Sequence, residues 1–170
     1  FSPDISMILT MLDVQKDYIV MESGTGSGCL SFNIANALDT GHLYTYEFNK
    51  ERAVKLQSNF KELGLDNKIT VTNQDVLENG FNISRDRVRQ TDLEKYENYC
   101  SKNNIIPDEN STLNGVVDAL FIDLPSPWAA VKFAKDKLKT NGVFVSFSPC
   151  MEQVEKTFTE MKNQGFIHPR

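Results

Sequence analysis

The 170-residue chain carries 18 Lys and Arg against 23 Asp and Glu, a formal net charge of −5, with 40% hydrophobic and 10% aromatic residues. That is enough chain for one domain with a proper core, and too acidic a surface to grip nucleic acid all over, because phosphate binding relies on Lys and Arg. The three cysteines, Cys29, Cys100 and Cys150, are widely spaced, so neither a disulfide framework nor a zinc site is expected, and no signal-peptide pattern or membrane-spanning apolar run is legible.

Taken in order, Ile5, Ile8, Leu9 and Leu12 recur at helical spacing, which predicts a helix over Asp4 to Leu12 with Ser2 as N-cap and Pro3 in its first turn. Tyr18 to Met21 is apolar and rich in β-branched residues, as buried parallel strands are. Glu22 stands where this strand should end. Gly24, Gly26 and Gly28 follow, and then a helix from about Gly28 to Leu38. Strand, Gly-rich turn and helix together suit a ligand: glycine lets it approach the main chain, and the helix start offers free N–H groups.

Leu43 to Phe48 is the second predicted strand, with Glu47 near its end, and Glu51 to Leu63 the next helix, closed by Gly64. Ile69 to Thr72 is the third strand and runs into Asn73-Gln74-Asp75. Residues 82–114 change character. They are rich in Asn, Asp, Glu, Lys and Arg with little apolar periodicity, and read as a solvated, mobile insertion with some helix near Asp92 to Tyr99.

Val116 to Ile122 is the fourth strand, ending in Asp123-Leu124-Pro125-Ser126-Pro127-Trp128. A helix over Ala129 to Leu138 stops near Asn141-Gly142. Val143 to Phe147 is the fifth strand, and a last helix covers Cys150 to Asn163. Strands alternating with helices predict an α/β fold, a Rossmann-like, doubly wound parallel sheet with right-handed crossovers. Phe1 to Asp4 opens without an initiator Met, and Gly165 to Arg170 reads as a helix terminator followed by a new strand, so the chain reads as truncated at both ends. One domain over 1–170 is expected, with the insertion at 82–114.

Ligands of such sheets sit beyond the carboxyl ends of the strands, where Glu22, Glu47, Asp75 and Asp123 all fall. The Gly-x-Gly-x-Gly spacing departs from the dinucleotide fingerprint, because Cys29 stands where its third glycine would be. The turn resembles motif I of class I S-adenosylmethionine-dependent methyltransferases. On that resemblance Glu47 accepts from ribose hydroxyls, Asp75 accepts from the adenine amino group, and Val76 donates through its backbone and packs on the ring. Glu22 orders the glycine loop rather than touching substrate. Arg52 is either a surface charge or helps close the pocket, and Trp128 either stacks on a base or packs in the core. Ser146 to Pro149 either line the pocket or simply open the last helix.

Six blocks carry a closer resemblance: Phe1 to Ile5, Glu22 to Gly28, Tyr46 to Phe48, Gln74 to Val76, Phe121 to Trp128, and Phe147 to Val154. They resemble the catalytic subunit of the tRNA (adenine-N1-)-methyltransferase that modifies T-loop adenine 58, in its eukaryotic branch. The resemblance implies S-adenosyl-L-methionine as cofactor, S-adenosyl-L-homocysteine as product and no metal. It implies a cofactor site at Gly24, Gly26, Ser27, Gly28, Cys29, Glu47, Arg52, Asp75 and Val76, with Asp123 catalytic. Asp123 would accept from the exocyclic N6 amino group, raise electron density at N1 and stabilise the charge that develops on the ring. It also implies tRNA as substrate, a non-catalytic homologous RNA-binding subunit in a heterotetramer, no membrane, and a place in the nucleus. An N-terminal β-rich domain and C-terminal strands would lie outside this chain. The rival readings are a non-catalytic scaffold of the same fold and a methyltransferase acting on a protein or small molecule.

Overall fold

A computed structural model describes residues 2–109 and 112–167, with the side chains of Ser2 and Pro3 left out. The capping role expected of Ser2 and the strand expected toward Arg170 lie outside the described residues. Among the described residues five strands form one sheet: β1 (Ile19–Ser23), β2 (His42–Glu47), β3 (Ile69–Asn73), β4 (Val117–Ile122) and β5 (Leu138–Ser146). All are parallel, in the order β3-β2-β1-β4-β5. The doubly wound α/β expectation therefore holds. β1 and β2 are buried along their whole length, which is why both read as apolar runs without alternation.

Seven helices of the described residues flank the sheet: α1 (Ser2–Leu12), α2 (Cys29–Ala37), α3 (Lys50–Glu62), α4 (Val76–Asn79), α5 (Gln90–Asn103), α6 (Pro127–Lys137) and α7 (Met151–Asn163). Val20, Leu43, Val71 and Ala119 face α1, α2 and α3 and pack with Leu12, Ile34, Leu56 and Phe60. Ile19, Met21, Tyr44, Tyr46 and Leu120 face the other way, toward α5 and α6, among Leu93, Tyr96, Ala130 and Ala134. Among the described residues no helix is long and apolar enough to cross a membrane.

Three expectations need correction. The segment 82–114 is only in part a solvated excursion: residues 101–109 are exposed, but most of the rest packs on the sheet. It supplies a 3₁₀ turn (Arg85–Arg87) and α5, and it buries Ile83, Val88, Leu93, Tyr96, Cys100 and Leu113 against the sheet. Burial of a large apolar side chain is worth about 1.5–3 kcal/mol, so these contacts outweigh the charged residues between them. The polar residues that enter the core come paired: Thr112 Oγ1 donates to the Ile83 carbonyl at 2.7 Å. Second, Asn141-Gly142 does not end a helix. α6 stops at Lys137, and β5 begins at once with an irregular stretch, pairing Val117 with Leu138 but Ala119 with Val143. Asn141, at φ 66°, takes up the surplus chain. Third, α6 starts at Pro127 rather than Ala129, with proline in its first turn, where the missing N–H costs nothing.

Register sets the site. Ser23 pairs with Tyr46 and with Ile122, and Glu47 pairs with Asn73. The carboxyl ends of β1, β2, β3 and β4 are thus level, and the loops after them open onto one crevice.

Candidate active site at the carboxyl ends of the strands

The turn after β1 is built from three glycines at φ 87°, 58° and 80°. The reasons for them differ. A Cβ on Gly24 would lie 2.1 Å from the Asp123 carbonyl oxygen, and one on Gly28 would lie 2.7 Å from Leu56 and 2.9 Å from Phe60 of α3. Gly26 meets nothing nearer than 3.7 Å and fronts open space. The turn is tied down by Gly24 N donating to the Tyr46 carbonyl (3.1 Å) and Gly28 N donating to the Thr25 carbonyl (2.9 Å).

That open space is a crevice of about 400 Å³, within the range of small-molecule sites. Ser23, Gly24, Gly26, Glu47, Phe48, Asn49, Arg52, Gln74, Asp75, Val76, Asp123 and Leu124 line it. The crevice therefore brings together seven of the residues the sequence singles out: Gly24, Gly26, Glu47, Arg52, Asp75, Val76 and Asp123. Ser27, Gly28 and Cys29 stand outside its lining. Ser27 Oγ accepts from Cys29 N at 3.4 Å, and Cys29 is exposed at the start of α2. Ser146 to Pro149 are not part of the lining either. Trp128 is half-buried beneath Lys156, whose Nζ lies 5.0 Å from the ring centroid.

Glu47 is only 4% exposed, and three donors converge on its carboxylate: Gly26 N (3.2 Å), Asn49 N (2.9 Å) and Arg52 Nη1 (3.4 Å). Together they hold a charged acceptor at the edge of the crevice. Asp75 caps α4 by accepting from Leu77 N at 2.8 Å and lines the crevice beside buried Val76. Asp123 differs from both. Its backbone N donates to the Ser23 carbonyl at 2.9 Å, while among the described residues its carboxylate accepts no hydrogen bond. Desolvation raises the carboxyl above the usual aspartate range. Glu22, a residue of β1 rather than of the loop, is buried beneath the turn and does not reach the crevice.

Sequence reasoning missed Ser23, Phe48, Asn49, Gln74 and Leu124. Their signal is adjacency to the strand-end acids. Phe48, directly after Glu47, is 74% exposed and gives the crevice wall an aromatic face. Asn49 Oδ1 caps α3 by accepting from Arg52 N at 2.9 Å, which orients the first turn that carries the Arg52 guanidinium. The set fits a nucleoside with a charged tail: a fixed carboxylate for a diol, a second acid beside an apolar wall of Val76, Phe48 and Leu124, and a bare glycine where the tail passes.

Comparison with known proteins identifies the family. The family described as the tRNA methyltransferase complex GCD14 subunit matches residues 1–92 and 82–169. The catalytic subunit of tRNA (adenine(58)-N(1))-methyltransferase from Dictyostelium discoideum is 35% identical over 167 residues, covering 98% of this chain and 45% of that protein. The same subunit from Candida glabrata is 36% identical over 172 residues, covering 99% and 42%. The chain thus spans less than half the length of these relatives. Among solved structures, a SAM-dependent O-methyltransferase from Thermotoga maritima superposes with a TM-score of 0.70 at 26% identity, covering 96% of this chain and 50% of that one. The tRNA (m1A58) methyltransferase TrmI from Aquifex aeolicus gives a TM-score of 0.66 at 22% identity, covering 96% and 53%, a likeness of fold. Matched from residue 1 to residue 169, this protein belongs to the tRNA methyltransferase complex GCD14 subunit family.

Proposed function

We propose that this chain is the cofactor-binding and catalytic part of an S-adenosylmethionine-dependent methyltransferase that methylates N1 of adenine 58 in the tRNA T loop. The observation that carries the reading is Asp123: a carboxylate on the wall of the crevice, against the glycine turn at Gly24, with no hydrogen-bond partner among the described residues. The names of the Dictyostelium and Candida relatives support the substrate.

The residues divide the work. Glu47, held by Gly26 and Arg52, accepts from the ribose hydroxyls. Asp75 accepts from the cofactor's adenine amino group while Val76 and Phe48 flank the ring. Gly26 leaves room for the amino-acid tail. The bound cofactor supplies a methyl group on a sulfonium, which needs only an aligned nucleophile. Asp123 aligns it by accepting a hydrogen bond from N6 of the substrate adenine, which enriches N1 and offsets the positive charge on the methylated ring. The T-loop base must be extruded from folded tRNA to reach Asp123.

On the same reading the acidic chain leaves most RNA affinity to a non-catalytic, RNA-binding homologue in a heterotetramer that works in the nucleus. The net charge of −5 and the family's description as a subunit of a complex support that division. The test is a methylation assay on unmodified tRNA with labelled donor, using full-length protein with and without the partner. 1-Methyladenosine in the digested product is expected. Absence of cofactor binding even in the complex would favour a scaffold role and overturn the proposal.

A further inference from the structure

Of the four acids the sequence places at strand ends, Glu22 alone is sealed off from the crevice, at 1% exposure. Its Oε2 contacts Ser31 Oγ at 2.5 Å and Thr45 Oγ1 at 2.8 Å. Thr45 Oγ1 also contacts Thr25 Oγ1 at 2.7 Å, and Thr25 Oγ1 reaches the Tyr46 carbonyl at 3.1 Å. All four side chains are buried. Thr25 sits between Gly24 and Gly26, so the chain of contacts ends in the glycine turn itself.

The hydrogens in this chain can be counted. The Tyr46 carbonyl, which also accepts from Gly24 N at 3.1 Å, can only accept, so a hydrogen bond at this contact has Thr25 as its donor. Its single hydroxyl hydrogen is then used, and Thr45 must donate to Thr25. The contact between Thr45 and Glu22 then requires a hydrogen on Glu22, while Ser31 donates to the same carboxyl. Four contacts need four hydrogens, and the hydroxyls of Ser31, Thr45 and Thr25 supply three. With Glu22 ionised, Thr45 and Thr25 both reverse, and Thr25 turns a lone pair on the Tyr46 carbonyl.

We propose that Glu22 acts as a neutral acid, its proton being the fourth hydrogen of a buried relay that runs through Thr45 to Thr25 and fixes the glycine turn for the cofactor. The last step rests on the cofactor reading above. The electrostatics agree. Among the described residues the charged groups acting on Glu22 are two acids, Glu47 at the end of β2 and Asp123 after β4, and Arg52 is paired with Glu47. Burial first, and these acids after it, push the Glu22 carboxyl up to about 7, against the pull of Ser31 and Thr45. The folded state then keeps a proton that the unfolded state loses near the ordinary glutamate value of 4.5. Stability falls as pH rises from that value to about 7 and levels off above it. Over the upper part of the same window the relay reverses and the turn loosens.

The test uses full-length protein carrying ¹³C-labelled glutamate. In pH-difference infrared spectra without cofactor, a protonated-carboxyl C=O band should titrate away near neutrality and be missing from Glu22→Gln. No such band in the wild type at about pH 6, or its persistence in the variant, overturns the proposal. The wild-type titration decides the point even where the variant does not fold. In parallel, calorimetry with S-adenosylhomocysteine should show wild-type affinity falling about three- to tenfold between about pH 6 and about pH 9. Glu22→Gln keeps a hydrogen toward Thr45 without a titrating proton, so it should lack that fall. An equal fall in both proteins overturns the positioning role. No binding by either protein at either pH overturns the cofactor reading, and the infrared band still decides the proton.

Discussion

The carbonyl oxygen of Asp123 occupies the space where a side chain on Gly24 would begin, 2.1 Å from the ideal Cβ position. Two loops from neighbouring strands are thereby closed on each other, one carrying the glycine turn and the other the carboxylate proposed as catalytic. Gly24 also sits at φ 87°. Gly24→Ala should cost at least about 2–3 kcal/mol, because backbone rather than a flexible side chain must move and the φ is strained as well. Because the carbonyl that moves belongs to Asp123, methyl transfer should fall about 100-fold, the scale of a 1 Å misplacement. Gly64→Ala is the control. It has a similar φ of 69° but nothing within 4 Å, so about 1 kcal/mol and unchanged activity are expected. Urea melts and single-turnover assays on both variants check the contrast.

Asp123 gives the reaction a pH dependence whose sign is fixed. The role assigned to it, accepting from an amino group, needs the ionised form. Desolvation raises the carboxyl, so at a given acidic pH less of it is ionised than for a free aspartate. The rate should therefore fall as pH drops through that raised value, at a higher pH than an exposed aspartate would give. Asp123→Asn should lower kcat about 10²–10³-fold and leave cofactor affinity near wild type. Full activity in the variant would remove Asp123 from the mechanism.

The strand-end acids were legible because a parallel sheet lines up its carboxyl ends, so an acid after each apolar run points to one place. The register bears this out, with Ser23, Tyr46 and Ile122 level. What the sequence hides is tertiary. Gly28 reads as part of a ligand loop, but its side faces Leu56 and Phe60, a contact that exists only once α3 has docked. Residues 82–114 read as solvated because their apolar stripe is narrow. In α5 only Leu93, Tyr96 and Cys100 are buried hydrophobics, among charges that face water. Burying Asp92 beside them breaks the pattern further, and only the partner residues explain it.

Those partners make a prediction. Asp92 is 0% exposed and accepts from Tyr44 Oη (2.8 Å), Arg89 Nη2 (2.8 Å) and Arg89 Nε (3.2 Å). Arg89 Nη1 goes on to the carbonyls of Thr40 and Gly41, at 2.8 and 3.2 Å. The network fastens α5 to β2. Asp92→Ala strands a guanidinium and a buried phenol, and should cost about 3–5 kcal/mol. Tyr44→Phe leaves the ion pair intact and should cost about 1–2 kcal/mol. Hydrogen exchange should show α5 opening first in Asp92→Ala. A neutral Asp92→Ala would return the segment to the solvated reading.

The sharpest division in the candidate site lies between residues inside and outside the crevice. Glu47 gathers Gly26 N, Asn49 N and Arg52 onto one buried carboxylate. Removing it loses the acceptor and leaves the Gly26 N–H without its partner. Glu47→Ala should weaken cofactor binding by about 1.4–3 kcal/mol, which is tenfold or more. Arg52 is a different case. Its side chain is 52% exposed and its pair with Glu47 is 3.4 Å long, so Arg52→Ala should change stability by no more than about 1 kcal/mol. Any larger effect of Arg52→Ala on cofactor affinity would report its hold on Glu47. Ser27 and Cys29 lie beyond the lining, so Ser27→Ala and Cys29→Ala should each change affinity by less than about twofold, within about 0.4 kcal/mol. Calorimetry on the four variants decides the matter. A loss in Cys29→Ala equal to that in Glu47→Ala would mean that the ligand's tail runs past Gly26 and along the start of α2.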